Sequence, residues 1–467
     1  MSREQARTFY SCQECGAKAL KWEGRCPSCG EWNSLLETPK ELSRWKNSWL
    51  SYKPDAVQEL SNVTLEDSPR IPLAFQEINR VLGGGLVKGS LVLIGGDPGV
   101  GKSTLLLQLC ATLVRDAGPV LYVSGEESAQ QIKLRAERLG ISGQGLHVLS
   151  ETDMATILHY LDNLSPAIAV IDSIQSVAFS DQSVGPGTIA QVRNCGLALL
   201  HWAKTNGVPT FITGHVTKEG NLAGPKTLEH MVDVVLYLDG DSLGTYRLLR
   251  GEKNRFGSTN EVGVFEMKDK GLSEVHNPSA VALASRLKNA VGSVVVPVME
   301  GTRPLLVEIQ ALTTPSSLPT PRRIANGIDM GRLQMVIAVL MKRAGIHLLA
   351  QDIIVNVAGG FRAMEPAADL GIALALVSSF QNTPLPDSMS ALGEVGLGGE
   401  LRNVSQFSRR LAELSHMGFS TCLSPESAVP QLEPPRGINI PSAQTIGEVL
   451  TIAFPHHIKR RESNKSR

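Results

Sequence analysis

The sequence predicts an α/β protein in several parts, centred on a doubly wound parallel sheet, and three observations predict it. The stretch Gly96-Asp97-Pro98-Gly99-Val100-Gly101-Lys102-Ser103 fits the G-x-x-x-x-G-K-[ST] pattern between the apolar run Leu91 to Ile94 and the helix formers Thr104 to Leu109. From Phe75 to about Lys270, strand-like apolar runs alternate with helical ones, as a sheet covered on both faces requires. Near the N-terminus, four of the 7 cysteines fall in two C-x-x-C pairs, which marks a separate small module.

That module, residues 1–36, comes first. Cys12 and Cys15 form one pair and Cys26 and Cys29 the other, with Gly16 and Gly30 directly after them. Each pair makes a tight turn presenting two thiolates, and two such turns close a tetrahedral four-sulfur zinc site with no open position, hence a structural one. Paired redox disulfides are the alternative. Trp22 and Trp32 are expected to pack on the cluster, because so small a module cannot bury enough surface without metal. Residues 37–72 read as a linker, polar and punctuated by Pro39, Pro54, Pro69 and Pro72. Its Trp45, Trp49 and Tyr52 fit either a short docking helix or a recognition element.

Residues 73–275 form the sheet domain. In the loop Gly96 to Thr104, small residues let backbone N–H groups converge on phosphates, Lys102 adds a mobile positive charge, and the Ser103 hydroxyl is placed for Mg²⁺. A nucleoside triphosphate site follows. After the strand Val120 to Ser124, Glu126 is the candidate to orient or deprotonate an attacking water, with Glu127 behind it. Either acid could instead favour the start of the next helix. The buried strand Ala167 to Ile171 ends in Asp172, a carboxylate positioned for Mg²⁺. A further strand, Pro209 to His215, has a polar tip where Thr213 and His215 could sense the γ-phosphate, a structural histidine being the alternative. The segment Gly214 to Asp233 is polar and glycine-punctuated. After the strand Tyr246 to Arg250, Lys253-Asn254-Arg255-Phe256-Gly257 sets two cations one residue apart. These suit a γ-phosphate across a subunit boundary, DNA phosphates, or a solvated charged turn.

Composition narrows the function classes. With 45 basic and 45 acidic residues, the formal net charge is +0, so any nucleic-acid contact is local. No apolar run approaches the roughly 18 residues of a membrane span, and the N-terminus lacks the apolar segment of a secretory signal. No membrane association and a cytoplasmic location are expected, and the scattered Cys110, Cys195 and Cys422 suit reduced thiols.

Nearly end to end, the chain resembles the bacterial RadA (Sms) family, relatives of the RecA recombinase. The resemblance is carried by the four-cysteine module and by Leu82-Gly83-Gly84-Gly85 before the phosphate loop. It extends through Tyr122-Val123-Ser124-Gly125-Glu126-Glu127-Ser128, Ile171-Asp172-Ser173-Ile174-Gln175 and Gly214-His215-Val216-Thr217-Lys218-Glu219-Gly220. The unsubstituted pentapeptide Lys253 to Gly257 is its most specific part. It implies a RecA-like P-loop ATPase core using ATP, Mg²⁺ and Zn²⁺, and a homo-hexameric ring. Such a ring binds single-stranded and branched DNA and promotes branch migration or unwinding of recombination intermediates, with a recombinase or replicative helicase as protein partner. It also implies that Lys253 and Arg255 complete a neighbour's ATP site or touch DNA, and that Lys218 and Lys226, in a channel-facing loop, touch DNA, ordinary solvated lysines being the alternative for these two.

Residues 285–455 resemble the α+β proteolytic domain of Lon. In that comparison Ala367 of Met364-Glu365-Pro366-Ala367-Ala368-Asp369 stands where Lon has its nucleophilic serine, and Arg410 stands at the activating lysine. A side chain without a hydroxyl and a permanently protonated guanidinium imply a catalytically silent scaffold. Its expected uses are ring assembly and DNA binding, the latter through Arg322, Arg323, Arg409 and Arg410, with simply solvated surface arginines as the alternative. Residues 456–467 form a basic tail. Two rival classes are an ATP-dependent protease and a KaiC-type autokinase. The silent dyad disfavours the first, and the zinc module with the intact pentapeptide disfavours the second.

Overall fold

The computed structural model describes residues 9–12, 17–19, 21–38, 59, 61, 70–180, 185–215, 226–240, 245–431 and 435–455. They belong to two units, Met1–Glu274 and Val275–Arg467. Among the described residues no helix is long and apolar enough to cross a membrane.

At the start of the first unit, β1 (Phe9–Cys12) pairs antiparallel with both β2 (Lys18–Ala19) and β3 (Leu35–Thr38). Cys12, Cys26 and Leu35 are the buried centre, with Tyr10, Ala17 and Ala19 packed against them. The expectation that Trp22 and Trp32 cover the cluster is corrected: they are 55% and 67% exposed, and Arg25 lies 5.8 Å over the Trp32 ring. An indole needs an apolar face of roughly 150–250 Å² to bury itself, and so small a centre offers none. Trp45, Trp49 and Tyr52 lie outside the described residues. By Ile71, which exchanges backbone hydrogen bonds with Leu86, the chain has already joined the larger domain.

That domain runs α1 (Gln76–Leu82), β4 (Leu91–Gly96), α2 (Lys102–Asp116), β5 (Val120–Ser124), α3 (Ala129–Arg138), β6 (Leu146–Ser150), α4 (Met154–Leu164) and β7 (Ile168–Asp172). It continues with α5 (Ile189–Asn206), β8 (Thr210–His215), α6 (Lys226–Glu229), β9 (Val234–Asp239), β10 (Tyr246–Asn254), β11 (Val262–Lys268) and β12 (Gly271–Glu274). The described strands form a 9-stranded sheet in the order β12-β11-β10-β9-β4-β8-β7-β5-β6. From β9 to β6 all neighbours are parallel, and β10 to β12 add an antiparallel edge. Alternation along the strands splits the core between two faces. Val92, Ile94, Ile168 and Val170 pack with α1 and α2, whereas Leu91, Leu93, Ala169 and Ile171 pack with α4 and α5. The fold is the RecA-like α/β class, with ligand-binding loops expected beyond the carboxyl ends of the parallel strands. β10 extends past the expected end at Arg250: a register shift between Gly251 and Lys253 lets it keep pairing with β9, so Lys253 and Asn254 are strand residues rather than a turn.

The second unit opens with α7 (Pro278–Leu283), ahead of the Ser285 start read from the sequence. β13 (Ser293–Glu300) and β14 (Arg303–Pro315) form a hairpin turning at Gly301, followed by β15 (Arg323–Asn326), α8 (Met330–Arg343), β16 (Gln351–Val357) and α9 (Asp369–Gln381). β17 (Met389–Ala391), β18 (Glu394–Val395), β19 (Leu401–Arg402), α10 (Phe407–His416), β20 (Thr421–Pro425), β21 (Ser442–Ala443) and α11 (Ile446–Ala453) complete it. Its main sheet has the order β15-β16-β14-β13-β17-β20-β21.

Candidate functional site

The phosphate loop leaves the carboxyl end of β4 and runs into α2. Gly96 has φ 148°, and a Cβ there would stand 2.4 Å from the Leu238 carbonyl oxygen; Gly101 has φ 116°, and a Cβ would meet Met267 Cε at 2.8 Å. Only glycine fits both the dihedral and the space, so the backbone itself lines the loop. Lys102 is buried, and its Nζ donates to the carbonyl oxygens of Gly96 at 2.8 Å and Asp97 at 3.0 Å. Burial pushes its pKa below the ordinary lysine value, against the charges of Asp172, Asp97 and Glu126, which converge on it. Pro98, Gly99 and Val100 form the turn, and Ser103 and Thr104 follow on the first turn of α2. A cavity of about 230 Å³ adjoins the loop, lined by Gly96, Asp97, Tyr237, Leu238, Asp239 and Gly240.

The carboxylates arrive through sheet register. β5 and β7 align Ser124 with Asp172, which sets Glu126, just past β5, beside the end of β7. Ser173 Oγ donates to Glu126 Oε1 at 2.5 Å. Asp172 accepts from the Tyr122 hydroxyl at 2.5 Å on Oδ2 and from Thr213 Oγ1 at 2.6 Å on Oδ1. Glu127 is engaged elsewhere: it pairs with Arg135 of α3, and its N–H donates to Ser124 Oγ at 3.0 Å. Tyr122 and Ser173 were not singled out in the sequence, where their partners lie 50 and 47 residues away and only the strand order brings them together. Lys218 lies outside the described residues; for His215, at the end of β8, and Lys226, at the start of α6, the backbone alone is described.

The pentapeptide lies at the opposite end of the sheet. Asn254 pairs with Val234, and Val234 with Val92, near the amino end of β4. That is about four residues, roughly 13 Å, from Gly96. Lys253 Nζ donates to the carbonyl oxygens of Glu229 at 2.7 Å, Val232 at 2.8 Å and His230 at 3.2 Å, satisfying the end of α6. Asn254 Nδ2 does the same for α1 at Leu82 O, 3.2 Å away. Arg255 faces buried Asp233 at 3.3 Å, and Asp233 also accepts the Leu91 N–H at 3.1 Å and pairs with Lys204. Phe256 and Gly257 close against the glycines after α1: Arg70 bridges Leu82 O and Phe256 O at 2.8 and 2.5 Å. Lys102, Glu126 and Asp172 are thus gathered at one end, and Lys253 and Arg255 are not among them.

Known proteins resemble this chain along most of its length. The chain is 48% identical over 450 residues to the DNA repair protein RadA of Bacillus subtilis (strain 168), covering 96% of this chain and 98% of the relative. Against the DNA repair protein RadA of Listeria monocytogenes it is 46% identical over 457 residues, covering 97% and 100%. The chain belongs to the RadA family. Within it, residues 57–221 match a model described as an AAA domain, 10–37 a rubredoxin metal binding domain, and 332–428 subunit ChlI of Mg-chelatase. The RadB recombinase crystal structure superposes on 44% of the chain at 22% identity and a TM-score of 0.36. The RadA-family chain is therefore an ATPase, and its cofactors are ATP with Mg²⁺ and zinc.

The residues present fit zinc. Cys12, Cys26 and Cys29 bring their sulfurs within 4.8 Å of one another, and Cys12 Sγ to Cys29 Sγ is 3.6 Å. A tetrahedron with Zn–S bonds of about 2.3 Å has edges of about 3.8 Å. The Cys29 backbone N–H leads the influences that hold the Cys26 thiol below its ordinary pKa, which favours the thiolate. Cys15 lies outside the described residues.

In the second unit, Ala367 is buried on the short turn before α9, and Arg410 is fully buried on α10, which corrects the expectation that it touches DNA: a side chain with no exposed surface cannot reach a phosphate. Arg410 forks onto Glu365, Nη1 to Oε1 at 2.5 Å and Nη2 to Oε2 at 2.7 Å, and also donates to Pro297 O and Ser405 O. Removing the guanidinium would leave the Glu365 carboxylate without its charge partner, still accepting the Met299 N–H at 2.7 Å on Oε1, and would take a donor from two carbonyls. Arg410→Ala is expected to cost about 3 kcal/mol or more of the second unit's stability, read from denaturant unfolding. A loss under about 1 kcal/mol would contradict the pair's structural role.

Proposed function

We propose that this chain is a DNA-dependent ATPase of recombinational repair, a ring, usually hexameric, that binds single-stranded DNA and drives branch migration or unwinding. The observation supporting this most directly is the division of the charged groups between two ends of one sheet: Lys102, Glu126 and Asp172 at the carboxyl end of the parallel strands, Lys253 and Arg255 at the other. A cation that cannot reach its own nucleotide is available to a neighbour's in a head-to-tail ring.

In this reading the backbone from Gly96 to Gly101 cradles the phosphates, and Lys102 exchanges its two loop carbonyls for phosphate oxygens. Ser103 and Asp172 would hold Mg²⁺, which would supply positive charge against the phosphates. Glu126 orients the attacking water and takes its proton. Lys253 and Arg255 approach the γ-phosphate of the adjoining subunit, and Lys253 then releases the end of α6. Because α6 directly follows the segment holding Lys218, this gives the ATP site a route to DNA. Lys218 and Lys226 contribute phosphate contacts that repeat around the ring, which offsets the formal net charge of +0. The second unit acts as scaffold without proteolysis, a reading supported by Ala367 and by the Arg410–Glu365 pair at the place of a protease dyad.

The test is ATP hydrolysis by the full chain with and without single-stranded DNA, beside Lys102→Ala. Stimulation by DNA that vanishes in the variant is expected, and hydrolysis indifferent to DNA would overturn the assignment.

A further inference from the structure

Strands β8, β7 and β5 are consecutive in the sheet, so Asp172 at the end of β7 has a neighbour on each side. β8 pairs Ile212 with Ile171, which places Thr213 level with Asp172. β5 pairs Tyr122 with Val170, one step back on the same face as Asp172, a diagonal that an aromatic side chain spans. The two hydroxyls donate to different oxygens of one carboxylate, Tyr122 to Oδ2 and Thr213 to Oδ1. Both donors are buried, at 1% and 0% exposure, so tilting the carboxylate out of this plane breaks at least one of the two bonds, a half-turn merely exchanging equivalent oxygens. A carboxylate has about four lone-pair positions, so two remain, with their direction fixed by the two that are filled.

We infer that Tyr122 and Thr213 are positioning residues that clamp Asp172 and aim its free lone pairs at the Mg²⁺ of the bound nucleotide. The inference rests on Asp172 serving the metal, as proposed above. Partners that orient a metal-facing side chain typically govern metal affinity by about 10- to 100-fold. The clamp therefore sets how tightly the site holds its metal, while the phosphate loop sets how tightly it holds the nucleotide.

The experiment titrates Mn²⁺, as an EPR-visible probe, into the full chain saturated with a nonhydrolysable ATP analogue. Tyr122→Phe keeps the ring and loses only the hydroxyl; Thr213→Val is the independent second variant, and Thr213→Ser retains the donor. Each of the first two is expected to weaken Mn²⁺ binding about tenfold, with Thr213→Ser near wild type. In EDTA, affinity for a fluorescent nucleotide is expected to be unchanged. Wild-type Mn²⁺ affinity in both Tyr122→Phe and Thr213→Val overturns the clamp. So does an equal loss of nucleotide affinity in EDTA, which would mean that the hydroxyls shape the whole pocket. Asp172→Asn separates the two layers. If it loses Mn²⁺ while the hydroxyl variants do not, the clamp alone fails; if it too binds Mn²⁺ as wild type does, the metal role of Asp172 fails and the clamp with it.

Discussion

A Glu126→Gln protein is expected to bind ATP normally and to hydrolyse it roughly 10²- to 10⁴-fold more slowly. The amide preserves size and can still accept from Ser173 Oγ, so the hydrogen bond at 2.5 Å survives while the proton acceptor is lost. Glu127→Gln provides the internal comparison. Its carboxylate is committed to Arg135 in the last turn of α3, so turnover should change by less than about threefold. Single-turnover hydrolysis with nucleotide binding measured in parallel separates the two carboxylates. Normal turnover in Glu126→Gln, or a collapse in Glu127→Gln, would reverse their roles.

Lys253→Ala is expected to lower hydrolysis in assembled rings by about 10³-fold with nucleotide affinity nearly intact, the size of effect that a cation supplied by a neighbour provides. The competing explanation is local: in the isolated chain Lys253 holds three carbonyls at the end of α6, and its loss could loosen that helix. Mixing distinguishes them. When Lys253→Ala and Glu126→Gln subunits assemble together, some interfaces join an intact Glu126 to an intact neighbouring Lys253. Activity above that of either variant alone is the expected result. A mixture no better than its components would mean that Lys253 acts within its own subunit.

What was legible in the sequence follows how locally each feature is specified. The phosphate loop is a contiguous pattern whose glycines are demanded by positive φ at Gly96 and Gly101 and by the close backbone oxygen of Leu238 at Gly96, and it could be read residue by residue. The cysteine pairs are equally local. Asp172 was legible because a buried strand ending in a carboxylate is unusual. Tyr122, by contrast, looks like any aromatic strand residue until β7 is laid beside β5. Asp233 is similar: a buried acid serving Leu91, Lys204 and Arg255 only once β9 and β4 are neighbours. The exposure of Trp22 and Trp32 was misread because composition reports what could be buried, while the size of the module decides what is. Arg410 was legible only as an arginine where the resemblance to Lon has a lysine, and its partner Glu365, 45 residues away, was not legible at all.

The central claim is that this ATP site drives movement of DNA strands, and displacement of a labelled strand from a three-stranded branched substrate tests it most directly. With ATP and Mg²⁺ the wild-type chain should release the strand, and it should not with a nonhydrolysable analogue. Lys102→Ala should fail under both conditions. Equal displacement by wild type and Lys102→Ala, or none by a wild-type protein that hydrolyses ATP on the same substrate, would contradict the account.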